Sequence, residues 1–151
     1  TMSGITPLLQ GLRELEEKGV PGKILTTDYL TFSEPKALEK LNQLKNIELR
    51  MFCTDNETGG FHTKGYIFRR EEIYRIIIGS SNLTMNAMTK NREWNTKIVS
   101  TSQGAMAKEV LGEFDSIWND RRSLRYEQFI ETYNTKYKIS LRLWKIKMFL
   151  S

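Results

Sequence analysis

One short run of the chain holds two side chains suited to phosphoryl chemistry. His62, the only histidine, lies in FHTKGYIF, residues 61–68, two positions before Lys64. Successive side chains of a strand alternate between its faces, so a strand here directs both residues to one side. A histidine acts as a nucleophile or general acid, and a lysine donates hydrogen bonds to an anion. The alternative that stays open is a structural histidine on a half-buried strand.

The run YRIIIG, residues 74–79, is typical of a second strand, joined to the first by a turn in RREEI. If that turn centres near residues 70–72, the antiparallel hairpin pairs His62 with Ser80 and Lys64 with Ile78. The sequence therefore predicts that the turn after the second strand lies beside the histidine.

That turn, GSSN at residues 79–82, supplies further donors. Gly79 lets backbone N–H groups approach an anion, and Ser80 and Asn82 share the face of the histidine. Such a group of donors suits a phosphate whose charge grows during reaction. No cluster of carboxylates accompanies it in the sequence to hold magnesium, so the chemistry predicted is phosphoryl transfer without a metal.

The spacing resembles the HKD motif of the phospholipase D superfamily, His-x-Lys-x4-Asp-x6-Gly-Ser-x-Asn. His62-x-Lys64 and Gly79-Ser80-x-Asn82 carry the match, and Glu93 stands where nuclease members also carry a glutamate. Over roughly residues 3–120 the chain is similar to the phospholipase D-like nuclease domain attached to bacterial DEAD/DEAH-box helicases. The runs that carry this wider likeness are KGVPGKILTTDYL, HTKGYIF, IIIGSSNLT and EWN.

The resemblance implies a catalytic set and its roles. His62 attacks phosphorus and forms a phosphohistidine. Lys64 and Asn82 bind the phosphate oxygens, and Ser80 assists through its hydroxyl or its backbone. The Glu93 carboxylate accepts a hydrogen bond from the Nδ1–H of a histidine and so fixes the tautomer of that ring. The catalytic residues implied are thus His62, Lys64, Asn82 and Glu93, and those binding the phosphate are Lys64, Ser80 and Asn82.

The match departs from the family pattern at one position. The motif aspartate falls on Arg69, and the distance from there to Gly79 exceeds the family spacing. In the family this aspartate is usually structural. Two alternatives to a nuclease therefore remain: a phosphate or DNA clamp without catalysis, and a scaffold for an attached motor. The chain itself carries no GxxxxGK[ST] motif of an ATPase.

The implied mechanism uses two histidines, one as nucleophile and one as acid, and the chain has one. The resemblance therefore implies a homodimer in which two copies of His62 face one site across a twofold axis. DNA is the expected substrate, because the implied relatives are nucleases and the chain carries 23 basic against 18 acidic residues, a net charge of +5.

Composition excludes several other classes. With one cysteine, Cys53, and one histidine, the chain has no internal disulfide and an improbable zinc site, so no cofactor is expected. No apolar run reaches the roughly 18 residues of a membrane span, so a cytoplasmic protein without a membrane partner is expected. The run KYKISLRLWKIK, residues 136–147, has no acid and is either a polyanion surface or a solvated face.

The order of apolar patterns predicts an α/β fold with one mixed sheet between helices, similar to the phospholipase D-like fold. Its inner strands are expected at residues 47–53, 62–68, 74–79 and 93–99. One predicted helix has Leu8, Leu12 and Leu15 on a face and ends at Gly19. A second begins after a capping Ser33, and a third turns Met106, Val110, Phe114 and Ile117 to one side. Residues 1–121 are expected to form the phospholipase D-like domain, with its first strand missing, and residues 122–151 a helical, basic extension or linker.

Overall fold

A computed structural model describes residues 1–54, 64–79 and 94–150, apart from the side chains of residues 146, 147, 149 and 150. The chain divides into two compact units, the first made of Thr1–Gly60 with Arg121–Ser151 and the second of Phe61–Asp120. Each unit combines strands and helices, which confirms the predicted α/β class.

Four α-helices and six strands occur in the described residues. The helices are α1 Met2–Glu17, α2 Pro35–Asn42, α3 Ala105–Trp118 and α4 Tyr126–Leu150. The strands are β1 Gly22–Thr27, β2 Ile47–Phe52, β3 Lys64–Arg70, β4 Ile73–Gly79, β5 Asn95–Thr101 and β6 Ser123–Arg125.

The first unit is built on a mixed sheet in the order β1-β2-β6. β1 runs parallel to β2, and β6 pairs antiparallel to β2, with Met51 opposite Leu124. β2 buries Leu49 and Met51 on one face and Phe52 on the other. The core of this unit consists chiefly of Ile5, Leu38, Leu41, Leu44, Leu49, Met51, Phe52, Phe129 and Tyr133.

Helix boundaries in this unit follow backbone chemistry. Gly19 adopts φ +64° just after α1, which is the left-handed conformation that ends a helix, as predicted. The cap of α2 is Glu34 and not the predicted Ser33, because Pro35 occupies the first helical turn and fixes the extended residue before it. The Ser33 hydroxyl lies 3.0 Å from that of Thr26 instead.

The C-terminal part of the first unit consists of β6 and α4. β6 directly precedes α4, a single helix of 25 residues. α4 packs through Phe129 and Tyr133, each only 2% exposed, and the Tyr133 hydroxyl donates to the Ser33 carbonyl at 2.7 Å. The first half of α4 therefore belongs to the core of this unit.

The second unit is an antiparallel sheet in the order β3-β4-β5 with α3. Ile67, Ile76 and Ile98 lie opposite one another across the three strands, and Ile76 is fully buried. The one sheet predicted to contain all four inner strands is thus wrong for the described residues, because β2 bonds to β1 and β6 while the other three strands form a sheet of their own.

The inward side of α3 is rotated from the predicted one. Ala107 and Trp118 are buried, and the rings of Phe114 and Trp118 stack at 5.7 Å. Met106, predicted on the core side, is 55% exposed. The spacing from Ala107 through Phe114 to Trp118 also fits one helical face, and it has the larger aromatic surface to bury.

None of the helices in the described residues is both long enough and apolar enough to cross a membrane.

Candidate active site

Of the predicted site residues, Lys64 alone lies in the part of the chain that the structure describes. His62, Ser80, Asn82 and Glu93 fall in the segments 55–63 and 80–93, outside the described residues. Their predicted roles therefore stay predictions. The structure describes the residues that directly precede and follow these two segments.

Lys64 is the first residue of β3 and is half-buried. It pairs with Gly79, the last residue of β4, and Gly79 pairs in turn with Asn95, the first residue of β5. Residues directly opposite in antiparallel strands share a face, so the side chains of Lys64 and Asn95 flank a position that has no side chain.

The hairpin register differs by one residue from the predicted one. Lys64 pairs with Gly79 and not with Ile78, which pairs with Gly65. The reason is the turn, which consists of two residues, Glu71 and Glu72, with Glu71 at φ +54°. The predicted turn was centred on residue 71, whereas the observed turn is centred between Glu71 and Glu72. Each residue of β3 therefore pairs with a residue of β4 one position later than predicted, and different side chains share a face.

Gly79 is required by close packing. A Cβ atom built there would lie 2.8 Å from the Asn95 Cα and would overlap the Trp94 carbonyl oxygen. Both obstacles are backbone or directly attached to it, so a side chain could be accommodated only by separating β4 from β5. The glycine of the Gly-Ser turn thus has a structural reason that does not depend on a ligand.

Three chain positions meet at this end of the sheet. Lys64 begins β3, Gly79 ends β4 and Asn95 begins β5, and the three are consecutive across the strands. In sequence, His62 precedes Lys64 by two residues and Ser80 follows Gly79 directly. The segments that carry the predicted catalytic residues therefore adjoin the same end of one sheet.

Arg69 occupies the position of the family aspartate, and its surroundings are structural. Its Nε donates to the Glu71 carbonyl at 2.9 Å, and its guanidinium lies 5.6 Å from the centroid of the Tyr74 ring. Arg69 lies five positions after Lys64, an odd offset, so alternation places it on the opposite face of β3. The replacement does not change the face that carries Lys64.

A buried carboxylate in the first unit was not singled out from the sequence. Asp28 follows β1, is 6% exposed, and accepts bonds from the Thr54 backbone N–H at 2.7 Å, the Thr54 hydroxyl at 2.8 Å and Lys136 Nζ at 2.9 Å. Burial alone raises the pKa of this carboxyl, but the Thr54 and Lys136 bonds and the charge of Lys136 hold the pKa below its ordinary value of 3.8. Burial, followed by the charge of Asp28, raises the pKa of the nearby Cys53 thiol.

The signal that could have found Asp28 is its place after a strand in a parallel pair. β1 and β2 run parallel and end at Thr27 and Phe52, so the residues that follow each strand meet at one edge. The bonds to Thr54 and Lys136 make the carboxylate an anchor between this end of the sheet and α4. In the described residues, no three histidine, cysteine, aspartate or glutamate side chains lie close enough to hold a metal ion.

Comparison with known proteins identifies the family. A family model described as the cardiolipin synthase, PLD-like domain, matches residues 5–118, well over half of the chain. None of the curated proteins searched matches the chain. The match begins within α1 and ends with the last residue of α3, so it contains α2, α3 and β1 to β5, including the end of the sheet at which Lys64, Gly79 and Asn95 meet. This match shows that the chain belongs to the phospholipase D superfamily, whose members act on phosphodiesters, and the α/β organisation is consistent with it.

Proposed function

We propose that the protein is a metal-independent phosphodiesterase that cleaves DNA through a phosphohistidine intermediate, in a homodimer, as the nuclease domain of a helicase-linked protein. Family membership supports the phosphodiester as the bond attacked. The net charge of +5 and the likeness of the motif-bearing runs to helicase-attached nuclease domains support DNA as the substrate that contains this phosphodiester.

The observation that carries the proposal is the row formed by Lys64, Gly79 and Asn95. It gathers at one sheet edge the chain positions adjoining the segments that bear His62, Ser80, Asn82 and Glu93. A rigid edge of this kind is what a phosphoryl-transfer site needs, because catalytic groups lose their effect when misplaced by about 1 Å.

In the proposed reaction His62 Nε2 forms a bond to phosphorus while the bond to the leaving oxygen breaks. The second His62 of the dimer, in its protonated form, gives its proton to that oxygen. Water then attacks the phosphorus of the phosphohistidine. The second His62, which gave up its proton in the first step, takes a proton from that water, and the P–N bond breaks to release the product. Lys64 and Asn82 stabilise the charge on the non-bridging oxygens, and Ser80 adds a further donor. Glu93 holds one ring tautomer.

The environment of Arg69 favours an enzyme over a clamp without catalysis. Its guanidinium is engaged with Glu71 and Tyr74 on the face away from Lys64, so the loss of the family aspartate removes nothing from the Lys64 side. The clamp hypothesis attributes loss of activity to that replacement. It would be supported if the wild-type protein bound DNA and cleaved none.

The test is incubation of the 151-residue chain with end-labelled single- and double-stranded DNA, with and without excess EDTA, beside His62→Ala. We expect cleavage to persist in EDTA and to vanish in His62→Ala, with DNA binding retained, because nonspecific affinity comes from phosphate contacts spread over the surface. Protein quenched with detergent at alkaline pH, where the P–N bond persists, should carry a phosphoramidate that is absent from the variant. Activity that needs added magnesium, or that survives in His62→Ala, would refute the proposal.

A further inference from the structure

The side of the β3-β4-β5 sheet that carries Lys64 has an unusual charge pattern. We call it the Lys64 face, and strand alternation with the observed register assigns it Lys64, Tyr66, Phe68, Arg70, Ile73, Arg75, Ile77, Gly79, Asn95, Lys97, Val99 and Thr101. Four of these residues are basic and none is acidic. The carboxylates of this hairpin, Glu71 and Glu72, lie in the turn at the end farthest from Lys64.

The two sides of this sheet differ in exposure. The other side presents Ile67, Ile76 and Ile98, which are buried or half-buried. On the Lys64 face, Phe68 is 56% exposed and Val99 is 59% exposed. Because Phe68 and Val99 lie in one row of a sheet face that carries only basic charges, they offer an apolar surface beside cations to a ligand or partner.

Phe68, Arg75 and Val99 form one row across the strands. Directly opposed Cβ atoms lie about 4.5–5.5 Å apart, so the Arg75 guanidinium can stand beside the Phe68 ring. Lys97 is exposed one row nearer to Lys64, opposite Ile77. Aromatic rings interleaved with cations match a single nucleic-acid strand, whose bases stack while its phosphates are neutralised. A duplex keeps its bases stacked on each other and would leave Phe68 without a role.

We infer that the Lys64 face binds a single-stranded stretch of nucleic acid that leads to the proposed cleavage site. The choice of nucleic acid as ligand rests on the proposed function. From Lys64 to Phe68 is four residues of strand, about 14 Å at 3.4 Å per residue, or about four stacked nucleotides. Phe68 therefore contacts a base several nucleotides from the phosphodiester that is cut, and contributes to binding of long substrates only.

The first test compares charge variants with equal net charge. Arg75→Gln with Lys97→Gln removes two cations of the Lys64 face, and Arg69→Gln with Lys108→Gln removes two exposed cations elsewhere in the same unit. Binding of a fluorescent 12-nucleotide single strand is measured by anisotropy from 50 to 200 mM salt, in the His62→Ala background to prevent cleavage. We expect the first pair to weaken binding about tenfold and to lower the salt slope by about 1.4, at about 0.7 per phosphate contact, and the second to change affinity less than about twofold.

The second test isolates the ring. Phe68→Leu keeps an apolar side chain but removes the stacking surface, and we expect about tenfold weaker binding of the 12-nucleotide strand. Val99→Ala, on the same row, should stay within about twofold. Circular dichroism establishes that each variant is folded. Equal affinities for Phe68→Leu and wild type, or equal losses in the two charge pairs, would overturn the inference. The inference would also be overturned if a 12-base-pair duplex bound more tightly than the single strand and its affinity were unchanged in Phe68→Leu.

Two further readouts separate this inference from others. In the wild-type His62 background, hydrolysis of bis(4-nitrophenyl) phosphate should be the same in Phe68→Leu and wild type, because the small diester does not reach Phe68. If the wild-type protein hydrolyses no diester, the proposed function is wrong. The binding measurements do not depend on cleavage and still decide whether the Lys64 face binds a single strand. A changed sedimentation mass of Phe68→Leu, with unchanged DNA affinity, would mean that the face is a protein contact and would overturn the inference.

Discussion

Gly79 connects the sequence motif to sheet packing at the scale of one residue. Because a Cβ there would meet the Trp94 carbonyl and lie 2.8 Å from the Asn95 Cα, Gly79→Ala should lower the free energy of unfolding by about 1–3 kcal/mol, as overpacking does. Gly65→Ala is the matched control, since its nearest neighbour would be the Ile77 carbonyl oxygen at 3.8 Å. Urea titrations measure both. Equal midpoints for the two variants would contradict the close packing of β4 against β5.

Asp28 gives a pH-dependent prediction at the same scale. Its folded-state pKa is lowered by its Thr54 and Lys136 partners, so its stabilising effect is present above the unfolded pKa of about 3.9 and is lost as pH falls through the folded pKa. Asp28→Asn should therefore cost about 2 kcal/mol at pH 7, as loss of bonds to a charged group does. This difference from wild type should shrink below about pH 4.

The control for this carboxylate is Asp115→Asn, an exposed position on α3. Substitution of an exposed carboxylate should change the unfolding free energy by less than about 0.5 kcal/mol at either pH. Chemical unfolding at pH 7 and pH 3 provides the measurement. A difference between Asp28→Asn and wild type that is the same at both values would show that Asp28 contributes through packing and not through its charge.

At the scale of elements, α4 is held by the half that carries Phe129 and Tyr133. Phe129 is 2% exposed, so Phe129→Ala should reduce the free energy of unfolding by about 3–5 kcal/mol. Leu143, on the same helix, is 56% exposed, and Leu143→Ala should change it by less than about 0.5 kcal/mol. Thermal or urea unfolding compares the two. Similar losses would mean that the second half of α4 is packed as firmly as the first.

The elements also show where sequence reasoning succeeds and where it stops. The presence of long periodic helices such as α1 and α3 was predictable from repeated apolar spacing, whereas the buried side of α3 was not. β6 has three residues and no period to detect, and its place is set by pairing of Arg125 with Arg50 far away in sequence. The register of β3 with β4 was missed by one because the turn is short and Glu71 takes a left-handed conformation that its sequence does not signal.

Candidate site residues were proposed from the sequence by resemblance to a motif and not by apolar periodicity. The resemblance to the HKD motif draws attention to Lys64 and Gly79 by type and spacing; the structure pairs these two residues, whereas the prediction paired Lys64 with Ile78, and their catalytic roles stay predictions. The exposed row of Phe68, Arg75 and Val99 could not be assigned, because knowing which residues share a face requires the correct register. Asp28 was missed because its partner Lys136 is 108 positions away.

At the scale of the whole molecule, the proposed reaction demands two histidines and one chain supplies one. The active form should then be a homodimer with the two copies of His62 at a shared site. If wild-type protein is mixed with an excess of His62→Ala under conditions of subunit exchange, most wild-type chains enter mixed dimers with a single histidine. DNA cleavage per wild-type chain should fall as the excess grows, because nucleophile and acid are no longer both present.

The control for this mixing experiment is Leu143→Ala at the same excess, an exposed substitution on α4 that keeps His62. It should leave the cleavage rate per wild-type chain unchanged apart from its own added activity, since every mixed dimer retains both histidines. Sedimentation of the separate proteins establishes that all three associate alike. Constant activity per wild-type chain in the His62→Ala mixture, with exchange confirmed by mass-labelled subunits, would mean that each site works with one histidine, and a different proton donor would have to be found within the chain.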